Sequence, residues 1–233
     1  MVNHTANDKS SLLSRVLTVG SVADGASLDS LPGMALASIC DVVEFRVDTW
    51  PDLAGQGLEQ ARNCPVPVLL TVRRPDEGGQ NALPSAERRR LLELFLPAAA
   101  LVDVEISSFA EMPDFAARAH DSGALVVGSF HDFAATPSRD GLLRMRDAAL
   151  AAGADIVKFA ATLHSTADIA TLAPLLEEPG HPPLSIMGMG SLGRVSRLLF
   201  AKLGSVLNYG YLDRPTVPGQ WAAARLRELI AEL

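Results

Sequence analysis

Short apolar runs and helical stretches alternate about eight times between Val16 and the end of the chain, joined mostly by connections of a few residues. The strand-like runs are Val16–Val19, Val42–Asp48, Val66–Arg73, Leu101–Ile106, Ala124–Ser129, Ala154–Thr162, Leu184–Met187 and Ser205–Asn208. The helical stretches between them are Leu31–Cys40, Leu53–Arg62, a segment opening at Ser85 as N-cap, Met112–Asp121, Ser138–Ala152, Ala167–Glu177, Gly193–Leu203 and a closing Gly219–Leu233. In the third of these, Arg88, Leu91, Leu92 and Phe95 recur at helical spacing. Strands separated by helices pair in parallel. Eight such units predict an α/β chain folded as one closed (β/α)8 TIM barrel over residues 15–233, behind a polar tail over residues 1–14. An open doubly wound sheet is the alternative. It fits less well, because the first strand is not followed by G-x-G-x-x-G and no G-x-x-x-x-G-K occurs.

Composition narrows the partners. Hydrophobic residues are 48% of the 233 and charged residues 20%, ample for one sizeable core. A net charge of −7 argues against nucleic acid and against an anionic membrane surface. No apolar run approaches the ~20 residues that span a bilayer, and the first 14 residues hold no apolar signal segment. Cys40 and Cys64 form neither a CxxC nor a metal-ligand spacing, and read as small apolar residues in a reducing compartment. A cytoplasmic, soluble protein is expected.

One strand carries an unusual residue. In Ile156-Val157-Lys158-Phe159-Ala160 the lysine interrupts an apolar run. Burial disfavours the ammonium and lowers its pKa, and a lysine that is neutral part of the time attacks carbonyls. The bland alternative is a strand-end lysine whose stem is buried while its head reaches water. The neighbouring strands favour the first reading, since each ends in charged or hydrogen-bonding residues where barrel active sites lie. Glu44, Arg46 and Asp48 alternate and so share one face; Thr71 with Arg73, Asp103 with Glu105, and Ser129 with His131 repeat the pattern. For Asp48 and Asp103 a structural interior ion pair is the competing reading. His131, ending the strand before the lysine strand, is the candidate general acid/base, and Asp132 would point away from it. Later, Arg197 lies about one turn into a helix and suits bidentate contact with a carboxylate. Glycines 188, 190 and 193 just before that helix are a weak phosphate-cradle signal, and the Pro- and Gly-bearing loop from Tyr209 to Gln220 looks like a lid.

Together these motifs resemble the type I 3-dehydroquinate dehydratases over about Val42 to Gln220. The resemblance rests on Glu-Phe-Arg-Val-Asp at 44–48, Thr-Val-Arg at 71–73 with Glu-Gly-Gly at 77–79, Asp-Val-Glu at 103–105, and Ser-Phe-His-Asp-Phe at 129–133. It continues with Val-Lys-Phe at 157–159, Met-Gly-Met at 187–189, Gly-Arg-Val-Ser-Arg at 193–197 and Pro-Gly-Gln at 218–220. The order and spacing of the set are specific where each motif alone is weak. The resemblance implies that Lys158 forms an imine with the C3 carbonyl of 3-dehydroquinate and that His131 moves the protons. It implies that Glu44, Arg46 and Arg73 hold the ring hydroxyls, and that Arg197, helped by Gln220 and Thr216, pairs with the carboxylate. Met187 and Met189 would pack on the ring, Glu77 would be an acid near the site entrance, and Asp103 and Glu105 acids below the lysine. Tyr209 stands where a phenylalanine is common, and residues 190–192 lack a basic residue often found there.

The chemistry agrees with the residue types. An iminium acidifies the neighbouring C–H, a histidine takes that proton, and its conjugate acid assists loss of hydroxide. The implied reaction needs no metal or organic cofactor, and its small-molecule partner is 3-dehydroquinate. A class I aldolase acting on a sugar phosphate is one rival; a barrel that retains the pocket only to bind a metabolite is another. The exposed face of the last helices offers a surface for a homodimer.

Overall fold

The computed structural model describes residues 12–215 and 219–233. Its frame is eight parallel strands: β1 Leu17–Val22, β2 Val42–Arg46, β3 Val68–Thr71, β4 Leu101–Glu105, β5 Leu125–Asp132, β6 Ile156–Thr162, β7 Leu184–Met189 and β8 Leu207–Tyr211. They are hydrogen-bonded in the order β7-β6-β5-β4-β3-β2-β1-β8. The circle closes between β7 and β8, where serine hydroxyls replace part of the ladder. Val206 N donates to Leu184 O at 2.9 Å, Ser185 Oγ to Leu207 O at 2.7 Å, and Ile186 N to Ser205 Oγ at 2.9 Å. The expected (β/α)8 barrel is the observed one.

Outside the barrel run α1 Gly25–Ser30, α2 Leu36–Ile39, α3 Ala54–Arg62, α4 Ser85–Phe95, α5 Phe115–Asp121, α6 Arg139–Ala151, α7 Thr166–Leu172, α8 Gly193–Lys202 and α9 Ala223–Ala231. Alternation along each strand divides the apolar residues into two layers. Outward residues such as Phe45, Val102, Val126 and Phe159 pack against the helices. Inward residues Leu17, Val19, Val42, Leu69, Leu101, Leu125, Val127, Ile156 and Leu207 fill the lower barrel as an apolar plug. Leu12 joins that plug, so apolar packing begins inside the stretch read as a polar tail; residues 1–11 lie outside the described residues. Among the described residues no helix is long and apolar enough to cross a membrane.

Several boundaries differ from expectation for local reasons. The helix expected over Leu31–Cys40 is split: Pro32 starts a single 3-10 turn, Leu31–Gly33, between α1 and α2. Pro174 likewise ends α7 and turns Ala173–Leu176 into 3-10 helix. Ser85 is not the N-cap of α4; Pro84 holds that position and Ser85 Oγ donates to Glu111 Oε2 at 2.6 Å. Strand β2 stops at Arg46, and Asp48 sits on a 3-10 turn, Val47–Thr49, rather than on the strand face it was expected to share with Glu44.

Candidate active site

Above the apolar plug the inward positions turn polar: Ser21, Glu44, Thr71, Asp103, Glu105, Ser129 and Lys158 are all buried. Strand register makes these residues neighbours, with Ser21 beside Glu44, Thr71 beside Asp103, Glu105 beside Ser129 and Ser129 beside Lys158. The placement of Lys158 begins in the α6–β6 turn. Gly153 there takes φ 97°, Ala154 N bonds back to Ala149 O, and the chain enters β6 in register.

Lys158 is only 3% exposed, and its Nζ lies 2.9 Å from Asp103 Oδ2. The other carboxylate oxygen of Asp103 accepts from Arg73 Nη1 at 2.8 Å and from Ser129 Oγ at 2.5 Å. Arg73 also reaches Glu105 at 3.0 Å, and Glu105 is bonded on its far side by Arg88 of α4. Every charge in the layer therefore has a partner, the condition for burying such a set. Burial lowers the Lys158 pKa and Arg73 pushes the same way, against the attraction of Asp103. Burial alone would raise the Asp103 pKa, but Arg73 and Lys158 outweigh it and keep the carboxyl ionised. Lys158 is thus a buried amine bonded to Asp103 that also lines an open cavity. The snorkelling alternative fails, since its head does not reach bulk water.

His131 is the last but one residue of β5, on the same inner face. Its backbone N–H donates to Glu77 Oε2 at 3.0 Å, and its ring Nδ1 lies 3.0 Å from the same oxygen. When Glu77 is ionised this oxygen can only accept, so the hydrogen lies on Nδ1 and the Nε2 lone pair is left for a substrate. Burial lowers the His131 pKa well below its ordinary value, with Arg73 and Lys158 acting in the same direction. Burial raises the Glu77 pKa to about 7, partly opposed by Arg73. Asp132 does point away, its carboxylate capping the backbone N–H groups of Ala134 and Ala135.

Lys158, Arg73, His131 and Glu77 line a cavity of about 290 Å³ together with Glu44, Arg46, Met187, Met189, Arg197, Tyr209 and Gln220. Glu44 is fixed by Ser21 Oγ at 2.6 Å and Thr71 Oγ1 at 2.9 Å. Arg46 is held by Asp48 through two bonds of 2.9 Å. Arg197, on the inner face of α8, has no carboxylate partner among the described residues: Nη1 donates to Tyr209 O at 2.7 Å, and Nε is buried with no hydrogen bond among them. Burial lowers its pKa to about 10. A buried guanidinium without a counter-charge is a site for an anion. Thr216 lies outside the described residues. The other residues expected to touch the substrate line this one cavity, while Asp103 and Glu105 are buried against Lys158 and Arg73 outside its lining.

Two features were less legible. Glu77 was read only as an acid near the entrance; its sequence position on a loop gives no sign that it reaches His131 across β4. The phenol of Tyr209 lies with its ring centroid 4.2 Å from Lys158 Nζ, while its hydroxyl is buried without a hydrogen-bond partner among the described residues. An unmade buried hydrogen bond costs about 1–3 kcal/mol. Tyr209→Phe keeps the ring against the lysine and removes that cost, so chemical denaturation should show a more stable protein by roughly that amount. A loss of stability would mean that the hydroxyl is bonded in solution.

Against known proteins, the model of the type I 3-dehydroquinase family matches residues 28–233. The 3-dehydroquinate dehydratase of Lactiplantibacillus plantarum is 31% identical over 212 residues, covering 85% of this chain and 84% of that one. The catabolic 3-dehydroquinate dehydratase of Acinetobacter baylyi is 34% identical over 197 residues, covering 82% and 72%. The crystal structure of 3-dehydroquinate dehydratase from Geobacillus kaustophilus superposes with a TM-score of 0.83 at 27% identity, over 94% of this chain and 91% of that one. With a barrel, a buried lysine and a family model that agree over most of its length, this chain belongs to the type I 3-dehydroquinases.

Proposed function

We propose that this protein is a 3-dehydroquinate dehydratase, a hydro-lyase of the class EC 4.2.1.10 acting in the shikimate pathway, and that it works through an imine on Lys158. The observation that carries the reading is Lys158 itself: a buried amine with a lowered pKa at the floor of a cavity that His131 also lines.

In this reading Lys158 Nζ attacks the C3 carbonyl carbon, and water leaves the carbinolamine to give the iminium. His131 Nε2 takes a proton from C2, and the C–H electron pair moves into the enamine. The enamine pair then forms the C1–C2 double bond as the C1 hydroxyl departs, protonated by the imidazolium, and leaves as water. Hydrolysis of the imine returns the lysine, so the net change is loss of one water. Glu77 supports the histidine tautomer, and Asp103, itself held in place by Arg73, stabilises the cation while Lys158 is protonated. Glu44 and Arg46 are placed to hold ring hydroxyls, and Met187 and Met189 give the ring an apolar wall. The free cysteines Cys40 and Cys64 accord with the reducing cytoplasm this reading assigns to the protein.

Borohydride added with 3-dehydroquinate should reduce the imine and leave a stable adduct, which peptide mass mapping should place on Lys158. An adduct elsewhere would remove Lys158 from the mechanism, and none in protein that turns the substrate over would remove the imine.

Arg197 is the proposed carboxylate anchor, which predicts a split between binding and stability. Arg197→Met should raise KM about tenfold or more with a smaller change in kcat, since an anchor holds ground and transition states alike. It should not lower the melting temperature, because it removes a buried charge with no counter-charge. Steady-state kinetics with a thermal melt checks both; an unchanged KM would place the carboxylate elsewhere.

A further inference from the structure

We propose that Asp48 is a positioning residue for this site: its buried carboxylate fixes Arg46 and, at the same time, the loop that carries Glu77. The proposal rests on the dehydratase reading, because it acts through Glu77 and His131.

Asp48 is fully buried, one turn beyond the end of β2. Its Oδ1 accepts from Arg46 Nε at 2.9 Å, and its Oδ2 from Arg46 Nη2 at 2.9 Å and from Gln80 N at 3.1 Å. Its backbone carbonyl accepts from Asn81 Nδ2 at 3.0 Å, and Arg46 Nη2 extends to Gly78 O at 3.3 Å. Three contacts thus join the end of β2 to residues 78–81 of the loop after β3.

That loop would not hold its shape alone. Gly78 takes φ 86°, and two non-glycine residues, Asn81 at φ 60° and Ala82 at φ 36°, also lie in the left-handed region. Such residues persist where their surroundings hold them. The loop also doubles back tightly: a Cβ on Gly79 would stand 2.2 Å from Arg73 O. On its far side Gly78 lies against the ring of Phe133, where a Cβ would come within 2.6 Å of a ring carbon. Glu77 is therefore clamped between Asp48 on one side and the end of β5 on the other. The clamp determines where Oε2 meets His131. A simple structural ion pair is the alternative, and it predicts lost stability with unchanged kcat in the protein that folds.

The test is a cycle of Asp48→Asn, Glu77→Gln and the double variant, with kcat and KM for 3-dehydroquinate measured beside the wild type and each melting temperature recorded. Asparagine keeps the size of Asp48 and an acceptor for Gln80 N but loses the charged two-point hold on Arg46. Asp48→Asn should lower kcat about tenfold, the scale of lost support for a functional group, and raise KM through Arg46. In the Glu77→Gln background the same change should leave kcat within about twofold while KM still rises. An unchanged kcat in folded Asp48→Asn, or an equal kcat loss in both backgrounds, overturns the proposal. Asn81→Gly keeps the left-handed backbone and removes only the bond to Asp48 O; it should show the same pattern more weakly, and it decides the matter if Asp48→Asn does not fold. Wild type that neither turns over nor forms a reducible adduct overturns the dehydratase reading and this proposal with it. Turnover with additive losses overturns this proposal alone.

Discussion

Lys158→Met should abolish turnover of 3-dehydroquinate, on the order of 10⁴–10⁶-fold as for loss of a covalent nucleophile, and should leave nothing for borohydride to trap. Methionine is chosen because it fills nearly the same volume without an amine. Asp103 is not orphaned by the change, since Arg73 at 2.8 Å and Ser129 at 2.5 Å still hold its other oxygen. The stability loss should therefore fall short of the about 3–5 kcal/mol that follows when a buried charge is left unpaired. Appearance of the conjugated product, followed by ultraviolet absorbance, measures the first quantity; denaturation measures the second. A folded Lys158→Met protein with appreciable turnover would show that the ketone is activated by another group, and the Asp103–Arg73 pair would then be the place to look.

How much of this was legible before any coordinates depends on what each signal rests on. The barrel was legible because alternation of strand and helix is local and repeats eight times, so errors of a few residues at each end do not change the count. Lys158 and His131 were legible because a strand puts every second residue on one face, and both stand at inward positions. Asp48 shows where that logic stops. The alternation rule placed it beside Glu44, but the strand ends at Arg46, and the following 3-10 turn carries Asp48 to a loop partner instead. Its neighbours Gln80 and Asn81 lie more than 30 residues away, and no periodicity reports such a contact. Glu77 was obscured for the same reason: its bond to His131 spans 54 residues and depends on a loop with three left-handed residues. Ser85 failed differently. A serine before an apolar helical pattern reads as an N-cap, yet Pro84 takes that position and the hydroxyl turns to Glu111. Local chemistry predicts local structure well, and the loops that assemble the site are tertiary.

His131→Ala is the second large effect expected, a loss of about 10²–10⁴ in kcat, the range for a positioned acid/base. The imine should still form and be trapped, because Lys158 keeps Asp103 and the Tyr209 ring beside it. Trapping without turnover would separate the proton steps from the covalent one. The pH profile then identifies what controls the histidine. Burial and the nearby cations Arg73 and Lys158 keep the His131 pKa well below its ordinary value, so the ring stays neutral through the physiological range. The group that titrates there is Glu77, raised by burial to about 7. Its ionised form is the one that holds the Nδ1–H, so kcat/KM should rise with pH through about 7 and fall on the acid side as Glu77 takes a proton. Glu77→Gln resembles the protonated carboxyl at every pH. Its kcat/KM should therefore be low and nearly flat across this window, with any remaining acid limb displaced to lower pH, where His131 itself titrates. An acid limb near 7 that survives in Glu77→Gln would assign the titration to another group and leave the histidine without the partner described here.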